Sequence, residues 1–245
     1  MKIILLAALA VCSAVAQGLT EPPPLVRLHR HAGAASVHPY ADAGITVNVV
    51  GMAAMTGPPE TWLIEAHDSF SSIQDVDEAV RPAPGMDPID HPSSGILGAS
   101  SSLIAVYRAA FSYRPEQAID ALQKARYCQV SIYQVQPGSE SQFVELVRTR
   151  RIAFDSVNLD RPDIAYYVLS GTASGVYVFL APLASLKVLD DGPKATAENI
   201  AVEAAKASGL AREHLLFRVE PSASRVTDEF ASADPEFWRG KAKTQ

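Results

Sequence analysis

Apolar and polar positions alternate with period two from Arg126 to Gln136. Cys128, Val130 and Ile132 fall on one face, and Tyr127, Gln129, Ser131 and Tyr133 on the other. That period marks a strand, ended by Pro137-Gly138. The period then lengthens: Phe143, Leu146, Val147, Phe154 and Val157 recur at helical spacing. They predict a helix to about Asn158, opened by a Ser-x-x-Gln capping box of Ser139 with Gln142. Arg161-Pro162 is a break. Ile164 to Leu169 and Val176 to Ala181 read as strands joined through the small-residue turn Gly171 to Gly175. After Pro182, Leu183 to Leu189 predicts a short helical piece. Ala195 to Ser208 predicts a second helix stopped by Gly209, and His214 to Glu220 the last strand.

The order strand, helix, strand, strand, helix, strand is the ferredoxin-like plan, with four antiparallel strands and both helices on one face. The other face is also apolar and must be covered by something else. Residues 25–115 read as a worn copy. Strands are expected at Leu25 to Arg30, Ile45 to Met52, Glu60 to His67 and Leu103 to Arg108. A helix stripe follows in Phe70, Ile73, Val76 and Val80. The other helix of this half, near Gly33 to Tyr40, is cut short by Pro39. Trp62-Leu63-Ile64 aligns loosely with Tyr177-Val178-Phe179, which makes Trp62 a core residue equivalent to Tyr177. A loop at 81–102 carries four prolines and reads as a lid or a disordered connection. The tail 227–245 is polar except for Phe230, Phe237 and Trp238, aromatics that predict docking.

Four stretches therefore organise the chain: 1–16, 17–115, 116–226 and 227–245. The first is a targeting segment, with Lys2 as its positive end, Ile3 to Val11 as its apolar run and Ala14-Val15-Ala16 as the cleavage site. Leu9-Ala10-Val11-Cys12 resembles a lipobox, but Val11 is bulky for the position before a lipidated cysteine. Export to the periplasm or outside the cell is expected. No later apolar run approaches the length of a membrane span. Without Cys12, Cys128 is the single thiol, so the fold has no internal disulfide. Cys128 reads as a small buried hydrophobe, with Arg126 the one nearby positive charge.

The 245 residues are 48% apolar and 20% charged, a globular composition, and the net charge of −6 with no long basic run argues against nucleic acid as a partner. Composition gives neither the reaction nor the oligomeric state.

Several short motifs, taken in order, resemble the dimeric α+β-barrel superfamily, which includes antibiotic-biosynthesis-monooxygenase-like and NIPSNAP-like proteins. They are Val130-Ser131-Ile132-Tyr133-Gln134-Val135-Gln136-Pro137-Gly138-Ser139-Glu140 with Phe143, and Tyr177-Val178-Phe179-Leu180-Ala181-Pro182. The first half adds Thr56-Gly57-Pro58, Glu60-Thr61-Trp62 and His67-Asp68-Ser69-Phe70. The resemblance implies an α+β fold: two ferredoxin-like repeats, the second complete and the first worn, with antiparallel sheets facing each other as a barrel. It also implies a small cavity between sheet and helices, used by some members for cofactor-free oxidation and by others for haem.

Candidate chemistry is sparse. His29-x-His31, with His38, Asp42, His67 or Asp68, could hold a metal only if the fold gathered them. Exposed histidines are the simpler reading, so no metal is expected. His214, the one histidine of the second half, gives haem poor support, and no cofactor is expected. Arg150 falls on the apolar stripe of its helix. It either pairs with a carboxylate, meets an anionic ligand, or snorkels to water. Glu220 is the acid expected within its reach. Tyr133, Tyr167 and Tyr177 lie on neighbouring strands, and with Arg150 they form the candidate ligand site, suited to a small aromatic carboxylate or phenolate. The resulting expectation is an exported small-molecule-binding protein without assured catalysis. The alternatives are a cofactor-independent monooxygenase on a small aromatic substrate, and a structural or assembly module with a packed barrel.

The targeting segment makes a direct prediction. Protein from an export-competent host should have an intact mass that begins at Gln17, and a lipid-modified Cys12 at the N-terminus would overturn it.

Overall fold

The computed structural model describes residues 21–33, 40, 44, 46–80, 95–98 and 102–239. The expected targeting segment, His38, Asp42 and most of the 81–102 loop and of the expected helix near Gly33 to Tyr40 lie outside them. The chain folds as eight antiparallel strands closed into a barrel.

The first four strands are β1 (Leu25–Ala32), β2 (Val49–Ala54), β3 (Glu60–His67) and β4 (Ser102–Tyr107), with helix α1 (Phe70–Ala79) after β3. A short helix α2 (Ala118–Gln123), not foreseen in the sequence, leads into the second half. There β5 (Tyr127–Gln134), α3 (Glu140–Ser156), β6 (Ile164–Ser170), β7 (Val176–Leu183), α4 (Gly192–Ala207) and β8 (Ala211–Val219) follow the expected order. Two short helices, α5 (Asp228–Ala231) and α6 (Pro235–Arg239), end the described chain.

Around the barrel the strands run β4-β1-β3-β2 and then β8-β5-β7-β6. Each half thus lays its first, second, third and fourth strands in the order fourth-first-third-second. Two seams join the halves. Met52, Ala53 and Ala54 pair with Val219, Arg218 and Phe217, and β4 pairs with β6 across an irregularity at Ile104 and Ala105.

Alternation along the strands fills the barrel. Val26 and Leu28, Val50 and Met52, Trp62, Leu103, Cys128, Val130 and Ile132, Tyr166, Val178 and Phe217 make one buried cluster. Trp62 is 1% exposed, its ring centroid 4.7 Å from that of Phe217. Its Nε1 donates to Oε2 of Glu60 at 2.9 Å. Glu60 in turn takes a two-pronged contact from Arg30, Nε at 3.0 Å and Nη2 at 2.6 Å, a buried pair that closes this end of the barrel. Trp62 is core, as the alternation predicts, but Tyr177 is not its equivalent. Tyr177 points outward to Phe143, because the loose alignment is one residue out of phase and each one-residue slip changes the face.

The outer face of the second sheet is covered by α3 and α4. Tyr133, Phe179, Phe143, Leu146 and Val147 form the buried layer there. Helix α3 begins where the sequence places it, although Ser139 makes no side-chain cap; the backbone carbonyl of Ser139 accepts from Phe143 N–H at 3.1 Å instead. Strand β7 runs one turn of pleat past its expected end, with Pro182 opposite Cys128.

The aromatic tail docks at the end of the barrel opposite Arg30. Phe230 and Trp238 are buried, and Trp238 Nε1 donates to the Gln123 carbonyl at 2.7 Å. Arg126 holds Asp234 and lies 3.7 Å from the centroid of Phe237. The segment between β8 and the tail crosses β2 so closely that a Cβ on Gly51 would sit 2.1 Å from the Ala223 carbonyl oxygen.

Trp62→Ala should destabilise the protein by about 3–5 kcal/mol, the range for emptying a large aromatic from a packed core. Chemical denaturation measures it, and a near-neutral result would mean that Trp62 is not packed in the shared core.

Candidate functional site

Three places hold polar chemistry or space. The first is the expected one, the outer face of the second sheet. Arg150 points inward as its helical phase requires and is buried. Its partner is Asp163, the residue just before β6, and not Glu220, which binds Arg218. Sequence reading overlooked Asp163 because it precedes the strand whose positions were searched for acids. The Arg150 guanidinium also lies over Phe179, 4.6 Å from the ring centroid, and over Tyr133 at 5.7 Å. Tyr133 is fully buried. Tyr177 stacks on Phe143 with centroids 4.3 Å apart, and Tyr167 is 5.0 Å from Tyr177 with Arg108 over its ring. So the four residues share one face, but they are parts of a packed layer. The void that touches Arg150 is about 10 Å³, too small for an organic ligand.

Beside that layer runs an open polar groove with Gln129, Arg161, Arg212 and His214 among its walls. His214 is pushed down by burial of its ring and by the nearby charges of Arg212, Arg150 and Arg161. Its Nδ1 accepts from Arg212 at 3.1 Å, so the imidazole is neutral there.

The second place is inside the barrel. A cavity of about 470 Å³ opens at the end where the tail docks. Its walls are Val26, Val50, Met52, Ile64 and Ala66 from the first sheet, Cys128, Ile164, Tyr166 and Leu180 from the second, and Ala118, Ile119, Leu122 and Phe230 from the covering segments. Asn48, Asp68, Ser72, Thr227 and Glu229 give it polar positions. Ile64 and Ala66 point into the barrel yet stay partly exposed, because they face this space. Burial pushes the Cys128 thiol up to about 12, so it stays protonated, as the reading of a small hydrophobe requires. Burial likewise raises Tyr166. The sequence signals for these residues are plain core signals, and nothing in periodicity tells a filled barrel from a hollow one.

The third place is the outer face of the first sheet. Glu65 has a fully buried side chain. Its carboxylate accepts from Arg27 Nε at 2.7 Å, His29 Nε2 at 2.9 Å, His67 Nε2 at 2.9 Å and the Tyr40 hydroxyl. Burial would raise the Glu65 pKa, but the hydrogen bonds from His29, His67 and Arg27 outweigh it and hold the carboxyl well below its ordinary value. Arg27 also reaches Asp77 on α1. The pair His29-x-His31 does share a strand face, with ring centroids 6.3 Å apart. Of the two, His29 bonds this carboxylate. Among the described residues no group of three or more His, Cys, Asp or Glu side chains is placed to hold a metal ion.

No protein-family model and no curated protein matches the chain. Solved structures do. A candidate monooxygenase from Fusobacterium nucleatum superposes with a TM-score of 0.50 at 7% identity, over 84% of this chain and 95% of that one. An anthrone oxidase-like protein gives 0.49 at 11% identity, over 82% and 92%. A ferredoxin-fold protein from Listeria monocytogenes, related to antibiotic biosynthesis monooxygenases, gives 0.41 at 8% identity, over 80% and 95%. The chain thus shares the α+β-barrel fold of the Fusobacterium protein. At these identities the likeness is one of fold.

Glu65→Gln should cost about 3–5 kcal/mol at neutral pH, since it strips the charge from a buried set of donors. The sign with pH follows from a depressed folded-state pKa. The contribution of Glu65 is complete above its ordinary value of 4.5 and is lost as pH falls from there towards the folded-state value. Denaturation of both proteins at several pH values should show the gap narrowing below that point, and a gap independent of pH would contradict it.

Proposed function

We propose that this is an exported protein that binds a small, largely apolar molecule inside the barrel. The observation that carries the reading is the cavity of about 470 Å³, apolar on its floor and polar at its rim. Its volume falls within the usual range of small-molecule sites, as does a lining of hydrophobic side chains with a few polar groups. The fold supports the same reading, since the first barrel it superposes on belongs to a candidate monooxygenase. A packed structural module would have no such space. Export rests on the order of Lys2, the Ile3 to Val11 run and Ala14-Val15-Ala16.

Oxygenation without a cofactor asks for a group that takes a proton from the bound substrate. The acidic groups on the cavity wall, Asp68 and Glu229, are both exposed, and the floor offers thiol, phenol and hydrocarbon. Binding is therefore the primary reading.

The test is a cavity-filling variant. Ala66 projects from β3 into the space, and Ala66→Phe should occupy it. Nile red, a neutral apolar dye, should bind the wild type with a fluorescence increase and bind Ala66→Phe at least about tenfold more weakly, a change of about 1.4 kcal/mol. Equal binding to both proteins, or none to the wild type, would sink the proposal.

A further inference from the structure

The rim of the cavity carries a chain of hydrogen bonds that apolar binding does not need. Ser72 lines the cavity, and its Oγ lies 3.0 Å from Nδ1 of His67. On the other side of the imidazole, Nε2 lies 2.9 Å from Oε2 of Glu65. The burial of these groups fixes the direction of each bond. Glu65 is surrounded by four donors and is a carboxylate, so it accepts. Nε2 of His67 therefore carries the proton and donates. Nδ1 then presents its lone pair, and the Ser72 hydroxyl donates to it. A hydroxyl, a base within reach of its proton, and a buried carboxylate that orients the base are the parts of an activated nucleophile.

We propose that Ser72, His67 and Glu65 form a catalytic triad that hydrolyses neutral esters whose apolar portion enters the barrel. The substrate class rests on the cavity reading above; the triad itself rests on the hydrogen-bond geometry. Local structure places the parts. His67 is the last residue of β3, Ser69 caps the following helix by accepting from Ser72 N–H at 3.2 Å, and Ser72 sits in the first turn of α1. The amides that open a helix have no acceptor within it, and their positive potential stabilises negative charge on an oxygen nearby. Arg27, His29 and Tyr40 hold Glu65 in place, which makes it a positioning residue. The carboxylates of Asp68 and Glu229 at the rim disfavour anionic substrates, and the hydrocarbon floor favours an acyl or alkyl group.

The reaction is acyl transfer to water. Ser72 Oγ bonds to the ester carbonyl carbon as its proton passes to His67 Nδ1. The bond from that carbon to the alcohol oxygen breaks, and His67 returns the proton to the departing alcohol. Water then attacks the acyl-Ser72, gives one proton to His67, and releases the acid as the proton goes back to Ser72 Oγ. Ester and water become acid and alcohol, with no change of oxidation state.

The experiment uses a fluorophosphonate probe and p-nitrophenyl butyrate on wild type, Ser72→Ala and His67→Gln. Peptide mass mapping should place the probe on Ser72 in the wild type, and both variants should lose the adduct. Hydrolysis by Ser72→Ala should fall by about 100-fold or more, to the buffer rate. Ser72→Ala removes one partly buried hydroxyl and keeps the variant foldable if His67→Gln is not; a melting curve checks both. A hydrogen bond with a purely structural role would shift melting without any adduct. No adduct on Ser72, with Ser72→Ala hydrolysing as fast as wild type, would overturn the triad, and Nile red binding by that wild type would leave the cavity reading standing. An adduct on Ser72 without Nile red binding would uphold the triad and remove the cavity reading.

Discussion

A four-stranded sheet with helices on one side has a second face to bury, and in this chain both second faces are apolar. The two sheets meet that constraint by covering each other. The rest of the molecule depends on the seams that make this closure, Met52 to Ala54 with Phe217 to Val219 on one side and β4 with β6 on the other. Closure also removes the open sheet edges that would otherwise pair with another chain. It fixes register, because a shift of one residue would turn Trp62 and Phe217 out of the shared core.

The outer faces of the two sheets solve a different problem in opposite ways. Under α3, a cation is kept in an aromatic layer: Arg150 is set against Phe179 and Tyr133 and neutralised by Asp163. In the first half an anion is kept among donors, Glu65 with Arg27, His29, His67 and Tyr40. Buried charges survive only where partners replace the lost water. The anionic solution leaves an imidazole polarised towards the barrel end, next to the cavity. The cationic one fills its space.

Much of the fold is legible in the chain, because period two and period 3.6 each force a face to be buried. The strands of the second half, the inward phase of Arg150 and the docking of Phe230 and Trp238 follow directly. The α2 helix escapes because its six residues carry too short a stripe. The site is far less legible. Glu65 and Arg27 fall opposite each other only through the β1 and β3 register, and His67 meets Ser72 only through the turn into α1. Periodicity reports which side chains are buried, whereas chemistry depends on which buried side chains meet. The hollow of the barrel was equally hidden, since Val26, Ile64 and Cys128 would look the same around a filled core.

The docked tail bears on the order in which the molecule is made. Val219 completes the last strand, yet Phe230 and Trp238, eleven and more residues later, complete the end of the barrel. Synthesis is vectorial, and segments join the fold as they emerge. Without the stretch from Thr227 on, the cavity that Val26, Cys128 and Tyr166 line would lose the wall that Phe230 supplies. The stretch that follows the last strand therefore acts as a partial stopper, with Phe230 narrowing the apolar opening that the strands leave.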